Sequence, residues 1–115
     1  MKKITIFGSG ITAKAVRSKI QELPNFYTEV SPEEAELGII SPGLNPKDYL
    51  KYKYPIIGEV EFAYRLFQEQ DYHPTLIGIT GTNGKSTTTA LLGELLCSPI
   101  AGNIGIPLIN FVPSQ

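Results

Sequence analysis

The run Gly81-Thr82-Asn83-Gly84-Lys85-Ser86-Thr87 constrains this chain more than any other feature. It follows Thr75–Ile79, which is rich in β-branched residues and reads as a strand. It precedes Lys85–Leu96, which reads as a helix burying Leu91, Leu92, Leu95 and Leu96. A strand, a glycine loop and a helix in that order point to the α/β class. The glycines let the backbone fold tightly, so that several N–H groups can point at one phosphate. The start of the helix adds its partial positive charge. Lys85 can neutralise the β- and γ-phosphates of ATP, and the Ser86 hydroxyl can ligate Mg²⁺. The general phosphate-loop pattern wants glycine six residues before the lysine, and Ile79 stands there instead. The competing reading is a glycine turn that caps an ordinary helix.

A second glycine loop lies near the start. Lys3–Phe7 reads as a buried strand, and Gly8-Ser9-Gly10-Ile11-Thr12-Ala13 follows it. The loop is similar to the dinucleotide fingerprint with alanine in the last place, and it again offers backbone N–H groups and a helix start to a diphosphate. Glu29, 19 residues past Gly10, ends the expected second strand, where a ribose or base edge would lie. A tight strand–helix turn without a ligand is the alternative.

The remaining elements alternate in the same way. Ala13, Val16, Ile20 and Leu23 recur at helical spacing before Pro24; Phe26–Val30, Leu37–Ile40 and Ile56-Ile57 read as strands. Val60, Ala63, Tyr64 and Phe67 place a helix over Glu59–Gln70, and Pro46–Tyr52 suggests a short one. Asp71–Pro74 reads as a polar linker and Pro99–Ala101 as a further strand. The expected architecture is a Rossmann-like parallel α/β sheet with flanking helices in residues 1–72. The first strand–loop–helix unit of an ATP-binding domain follows in residues 73–115. That unit alone exposes too much apolar surface to be stable, so its strand is expected to extend or abut the first sheet, unless the polypeptide is cut short.

Composition narrows the function. A hydrophobic fraction of 42% and a charged fraction of 18% indicate a globular chain. The net charge of −1, with no basic run longer than Lys2-Lys3, argues against nucleic acid and polybasic membrane surfaces. No window approaches the ~18 apolar residues of a membrane span. With the single Cys97 this suggests a cytoplasmic protein.

Five blocks carry a resemblance. They are Gly8-Ser9-Gly10-Ile11-Thr12, Ser41-Pro42-Gly43, Gly58-Glu59-Val60-Glu61-Phe62, Ile79 through Thr87, and Gly102-Asn103-Ile104-Gly105-Ile106-Pro107. In this order they resemble the Mur ligase family, and most of all its D-glutamate-adding branch, over essentially the whole chain. The family's phosphate loop also lacks the first glycine, which accounts for Ile79. Its alanine-adding branch typically has His at the place of Asn83. Its diaminopimelate- or lysine-adding branch lacks this Rossmann-like start, and folylpolyglutamate synthetases begin directly with the loop.

The resemblance implies an ATP-dependent amide-bond ligase of peptidoglycan precursor synthesis. ATP would phosphorylate the carboxylate of UDP-N-acetylmuramoyl-L-alanine, and the amine of D-glutamate would attack the acyl phosphate. Gly81, Thr82, Asn83, Gly84, Lys85, Ser86 and Thr87 would take ATP, with Lys85 as the catalytic charge and Ser86 on Mg²⁺. Gly10, Ile11 and Thr12 would meet the diphosphate, Glu29 the uracil, Gly43 the nucleotide cleft and Asn103 the substrate's sugar or phosphate side. The family often has Asp-Thr-Arg where this chain has Glu29-Val30-Ser31. Glu94 is the only carboxylate after Ser86, so the chain is expected to be a monomeric fragment without ligase activity of its own. A stand-alone nucleotide-binding or regulatory module is the other reading. An NAD-binding oxidoreductase, the third, leaves the second loop unexplained.

Other residues are set aside. His73 reads as an exposed linker residue and Cys97 as a buried small hydrophobe. Tyr49, Tyr52 and Tyr54 interleave with Lys47, Lys51 and Lys53 like a base-stacking platform, but packing of a short helix on the sheet explains them as well. Glu59 and Glu61 read as a capped surface helix start or as functional acids.

Overall fold

The structure, a computed structural model, describes residues 1–102 and 106–114. Strands β1 (Lys2–Phe7), β2 (Tyr27–Glu29), β3 (Leu37–Ile40) and β4 (Ile56–Gly58) form one parallel sheet in the order β2-β1-β3-β4. Helices α1 (Ile11–Gln21), α2 (Glu59–Glu69) and α3 (Lys85–Leu96) lie where the sequence suggests. This is the expected Rossmann-like α/β arrangement.

Register decides which side chains form the core. Ile4 stands opposite Leu37 and Ile6 opposite Ile39, so these four share one face of the sheet. α1 covers that face with Ala13, Val16 and Ile20, and α2 with Phe62, Ala63, Leu66 and Phe67, all buried. The stripe on α2 is rotated from the expected one, because Val60 and Tyr64 are exposed while Phe62 and Leu66 point inward. Both sets satisfy helical spacing, and only the position of the sheet chooses between them. On the other face the tyrosine stretch packs around Phe7. The Phe7 ring centroid lies 6.2 Å from that of Tyr49 and 5.7 Å from that of Tyr52. A Cβ at Gly38 would come within 2.9 Å of Phe7 Cε2, so these rings fill the space over β3.

The second part of the chain departs from expectation. Thr75–Ile79 and Pro99–Ala101 join no sheet, and the four-stranded sheet is not extended by them. α3 buries none of its residues; Leu91, Leu95 and Leu96 are all exposed. A lone extended segment has no partner for its N–H and C=O groups, and a helix apolar on several sides needs cover on more than one. Residues 75–79, α3 and residues 98–102, together with Val60 and Leu108, instead line an apolar groove of about 310 Å³. The shape reflects this arm. The radius of gyration is 15.0 Å, against about 13 Å for a compact chain of this length. The accessible surface is 7493 Å², against about 6,200 Å² for this mass.

Beyond the arm the chain returns to the first unit. Ile109 and Val112 are buried against α1 and α2. The buried Lys19 Nζ donates to the Val112 carbonyl at 2.6 Å and pairs with Glu22 at 2.8 Å. Glu59 Oε2 accepts from the Ile109 N–H at 3.0 Å. Glu59 is therefore no surface residue, and its partner Glu61 makes only an exposed pair with Arg65 at 3.1 Å.

Burial raises the Glu59 pKa above the ordinary carboxylate value, partly offset by the N–H groups of Ile109 and Leu108. A raised folded-state pKa means the native protein holds the extra proton. The stabilisation is full below the unfolded-state pKa and is lost as pH rises through the folded one. Glu59→Gln should remove this slope. Urea midpoints at about pH 4 and about pH 7 should show the wild type losing more stability than the variant across that interval. Equal changes in both would refute it.

Candidate functional site

In an open parallel sheet, ligands bind beyond the carboxyl ends of the strands, where the strand order reverses. Here that point lies between β1 and β3. The loop after β1 carries Gly8 at φ +120°, and the loop after β3 carries Gly43 at φ +85°. The two loops meet: a Cβ on Gly8 would lie 2.6 Å from Ser41 Oγ and 2.9 Å from Ser41 Cβ. The Ser41 N–H donates to the Phe7 carbonyl at 3.1 Å, while its buried hydroxyl has no hydrogen-bond partner among the described residues. Gly10 caps α1 in an extended conformation, offers no side chain to bond the first turn, and has open space where a Cβ would stand. The first N–H groups of α1 thus face a clear approach, which suits a diphosphate.

Five of the six residues assigned to the UDP-sugar lie along this edge. Gly10, Ile11 and Thr12 open α1, Glu29 ends β2, and Gly43 follows β3. Asn103 lies outside the described residues. Ile11 is 72% exposed at the mouth, although it is apolar. Arg17 was not singled out from sequence. Its Nε donates to Glu29 Oε1 at 3.0 Å, and its other nitrogens reach the Gly8 and Ile6 carbonyls at 3.4 Å. Opposite charges twelve residues apart are a faint signal until β1 and β2 are known to be neighbours.

The second glycine loop shares these features. Gly81 at φ +148° and Gly84 at φ +78° turn the chain into α3, which starts at Lys85 with no side-chain cap. A Cβ at Gly81 would stand 3.9 Å from both the Asn83 carbonyl oxygen and Lys85 Cγ, so the lysine stem folds back along the loop. All of Gly81–Thr87 is exposed. The uncapped N–H groups and Lys85 fit a phosphate. For Mg²⁺ the loop offers Ser86 Oγ alone. Among the described residues no group of three or more His, Cys, Asp or Glu could hold a metal.

Residues set aside fall as follows. His73 is exposed beside Asp71 at 2.8 Å, as a linker residue would be. Cys97 is exposed rather than buried, because α3 packs so little of its surface. No hydrogen bond or ion pair joins the two glycine loops among the described residues.

The fold is a Rossmann-like parallel α/β sheet with a glycine loop leading into α1 and a second leading into α3. The chain is 38% identical over 113 residues to a UDP-N-acetylmuramoylalanine–D-glutamate ligase of Caldanaerobacter subterraneus subsp. tengcongensis, covering 83% of this chain and 24% of the relative. The ligase of the same name from Thermoanaerobacter pseudethanolicus is 45% identical over 90 residues, covering 70% and 19%. That of Clostridioides difficile is 42% identical over 94 residues, covering 72% and 20%. No family model and no solved structure matches the chain. The chain belongs to the Mur ligase family, among relatives named for D-glutamate addition. It spans about a fifth to a quarter of the length of these curated relatives.

Proposed function

We propose that this chain is the part of a D-glutamate-adding ligase that binds the UDP end of UDP-N-acetylmuramoyl-L-alanine and supplies the phosphate loop for ATP. The observation that carries this reading is the pair of uncapped helix starts, at Gly10 and Gly84, in a chain related to such ligases. Residues 1–72 take the nucleotide-sugar, with Gly10, Ile11, Thr12, Glu29, Gly43 and Asn103 around it. Residues 73–115 begin the ATP-binding part, and D-glutamate enters from elsewhere in the longer protein. A monomer in the cytoplasm accords with this role. No helix among the described residues is long and apolar enough to cross a membrane.

In the reaction, the carboxylate of UDP-N-acetylmuramoyl-L-alanine becomes an acyl phosphate that the amine of D-glutamate attacks. Phosphoryl transfer of this kind needs charge neutralisation and positioning more than covalent help. Lys85 supplies a cation against the transferring phosphate, and the α3 N–H groups orient it. Ser86 would hold Mg²⁺ in part, and the ion when bound would supply further charge neutralisation. The chain alone is proposed to bind without turnover, since among the described residues no acidic cluster joins Ser86.

Titration with UDP-N-acetylmuramoyl-L-alanine, UDP and NADH tests the first site. Preference for the uridine ligands is expected, and preference for NADH would overturn the assignment. Lys85→Ala should weaken ATP binding about tenfold or more, the loss of a charge-assisted contact, with uridine binding unchanged. An assay with ATP, Mg²⁺, UDP-N-acetylmuramoyl-L-alanine and D-glutamate decides the last point, because measurable turnover by the 115-residue chain contradicts binding alone.

A further inference from the structure

β1 is longer than its neighbour β2. Their pairing ends where Ile4 meets Glu29, with the Val30 N–H on the Ile4 carbonyl at 2.8 Å. Alternate carbonyls of β1 point to the same side, so the next one toward β2 is that of Ile6, and no strand residue is left to meet it. Arg17 fills that place. One terminal nitrogen reaches Ile6 O and the other Gly8 O, while Nε holds Glu29 Oε1 at 3.0 Å. A single planar group thus ties the end of β1, the first glycine loop and the end of β2.

We infer that Arg17 is a positioning residue for the nucleoside end of the site, acting through Glu29. This rests on the nucleotide-binding role proposed above. Glu29 keeps Oε2, for which the described residues supply no hydrogen bond. An ionised carboxylate only accepts, so its matching ligand groups are donors: ribose hydroxyls or a base N–H. The rigid fork of a guanidinium can hold the carboxylate at one angle while capping two carbonyls, which a lysine cannot do. The pair is about a third exposed, at 35% and 39%. Such a pair adds little to stability, so its removal should alter binding rather than folding.

Calorimetric titration of the chain with UDP and with inorganic pyrophosphate separates the roles. Arg17→Ala should weaken UDP about tenfold and leave pyrophosphate unchanged, with the thermal midpoint held within a few degrees. In a Glu29→Ala background the Arg17→Ala change should have no further effect on UDP. If Arg17→Ala fails to fold, Glu29→Gln, which leaves the guanidinium on its two carbonyls, should show the same ligand split. Wild-type UDP affinity in Arg17→Ala, or in Glu29→Gln where that variant stands in, overturns the inference. So does an equal loss for pyrophosphate, since that places Arg17 on the phosphates directly. Failure of the wild type to bind UDP overturns the functional reading itself.

Discussion

Replacing Phe62 with alanine should lower the unfolding free energy by about 3–5 kcal/mol, the usual cost of deleting a buried aromatic ring. Phe62 is 1% exposed. Its ring meets Tyr27 edge-on, with centroids 5.4 Å apart at 82°. Tyr27 in turn bonds Glu69 through its hydroxyl, and burial with that bond raises the tyrosine pKa well above its usual value. Removing the ring leaves a void between α2 and the strand that starts at Tyr27. Small domains have about 5–15 kcal/mol in all, and here the arm around α3 contributes no buried side chain to that total. The variant should therefore be near its unfolding midpoint at room temperature. Leu95→Ala is the control. Leu95 is 80% exposed, and surface changes of this kind fall within about 0.5 kcal/mol. Urea unfolding followed by circular dichroism measures both. Similar midpoints for the two variants would show that the core does not lie where the structure places it.

The contrast between Phe62 and Leu95 also shows what the sequence could tell. Glycine loops are local: the turn residues at Gly8–Gly10 and Gly81–Gly84, and the strands and helices beside them, are legible because neighbouring residues dictate them. The parallel direction of the sheet strands follows from the alternation, but their order does not. Burial on α3 was not legible, because four leucines at helical spacing say only that a face wants cover. Whether a partner element exists is a non-local fact. The phase of α2 was ambiguous for the same reason. Glu59 reads as a surface residue until the Ile109 N–H arrives from fifty residues away. Arg17 and Glu29 become partners only once β1 and β2 lie side by side. The carbonyl that Arg17 caps is left over from a strand mismatch that spacing cannot show.

Gly8→Ala should be the most damaging single change in the first loop, costing about 2–4 kcal/mol and at least tenfold in UDP affinity. Two separate causes add. The φ of +120° is a region other residues enter only at about 1–3 kcal/mol. The new methyl would also lie 2.6 Å from Ser41 Oγ and 2.9 Å from Ser41 Cβ. Rotating the serine relieves the first contact but not the second, so the loop after β3 must shift and Gly43 must move with it. That widens the crevice where the diphosphate is proposed to sit. Gly10→Ala supplies the comparison. Gly10 has φ −80° and nothing within 4 Å of its added Cβ, so stability should change by less than about 1 kcal/mol. The methyl would nevertheless stand at the start of α1 and hinder the ligand, so UDP binding should weaken alone. Ser41→Gly in the Gly8→Ala background separates strain from clash. It removes both close contacts and leaves φ untouched. Partial recovery of the urea midpoint is expected, with the remainder equal to the backbone strain. Full recovery would mean that the left-handed conformation at Gly8 costs nothing. No recovery would mean that the two strand-end loops are not in contact, and that the crevice between β1 and β3 is not shaped by Gly8 and Ser41.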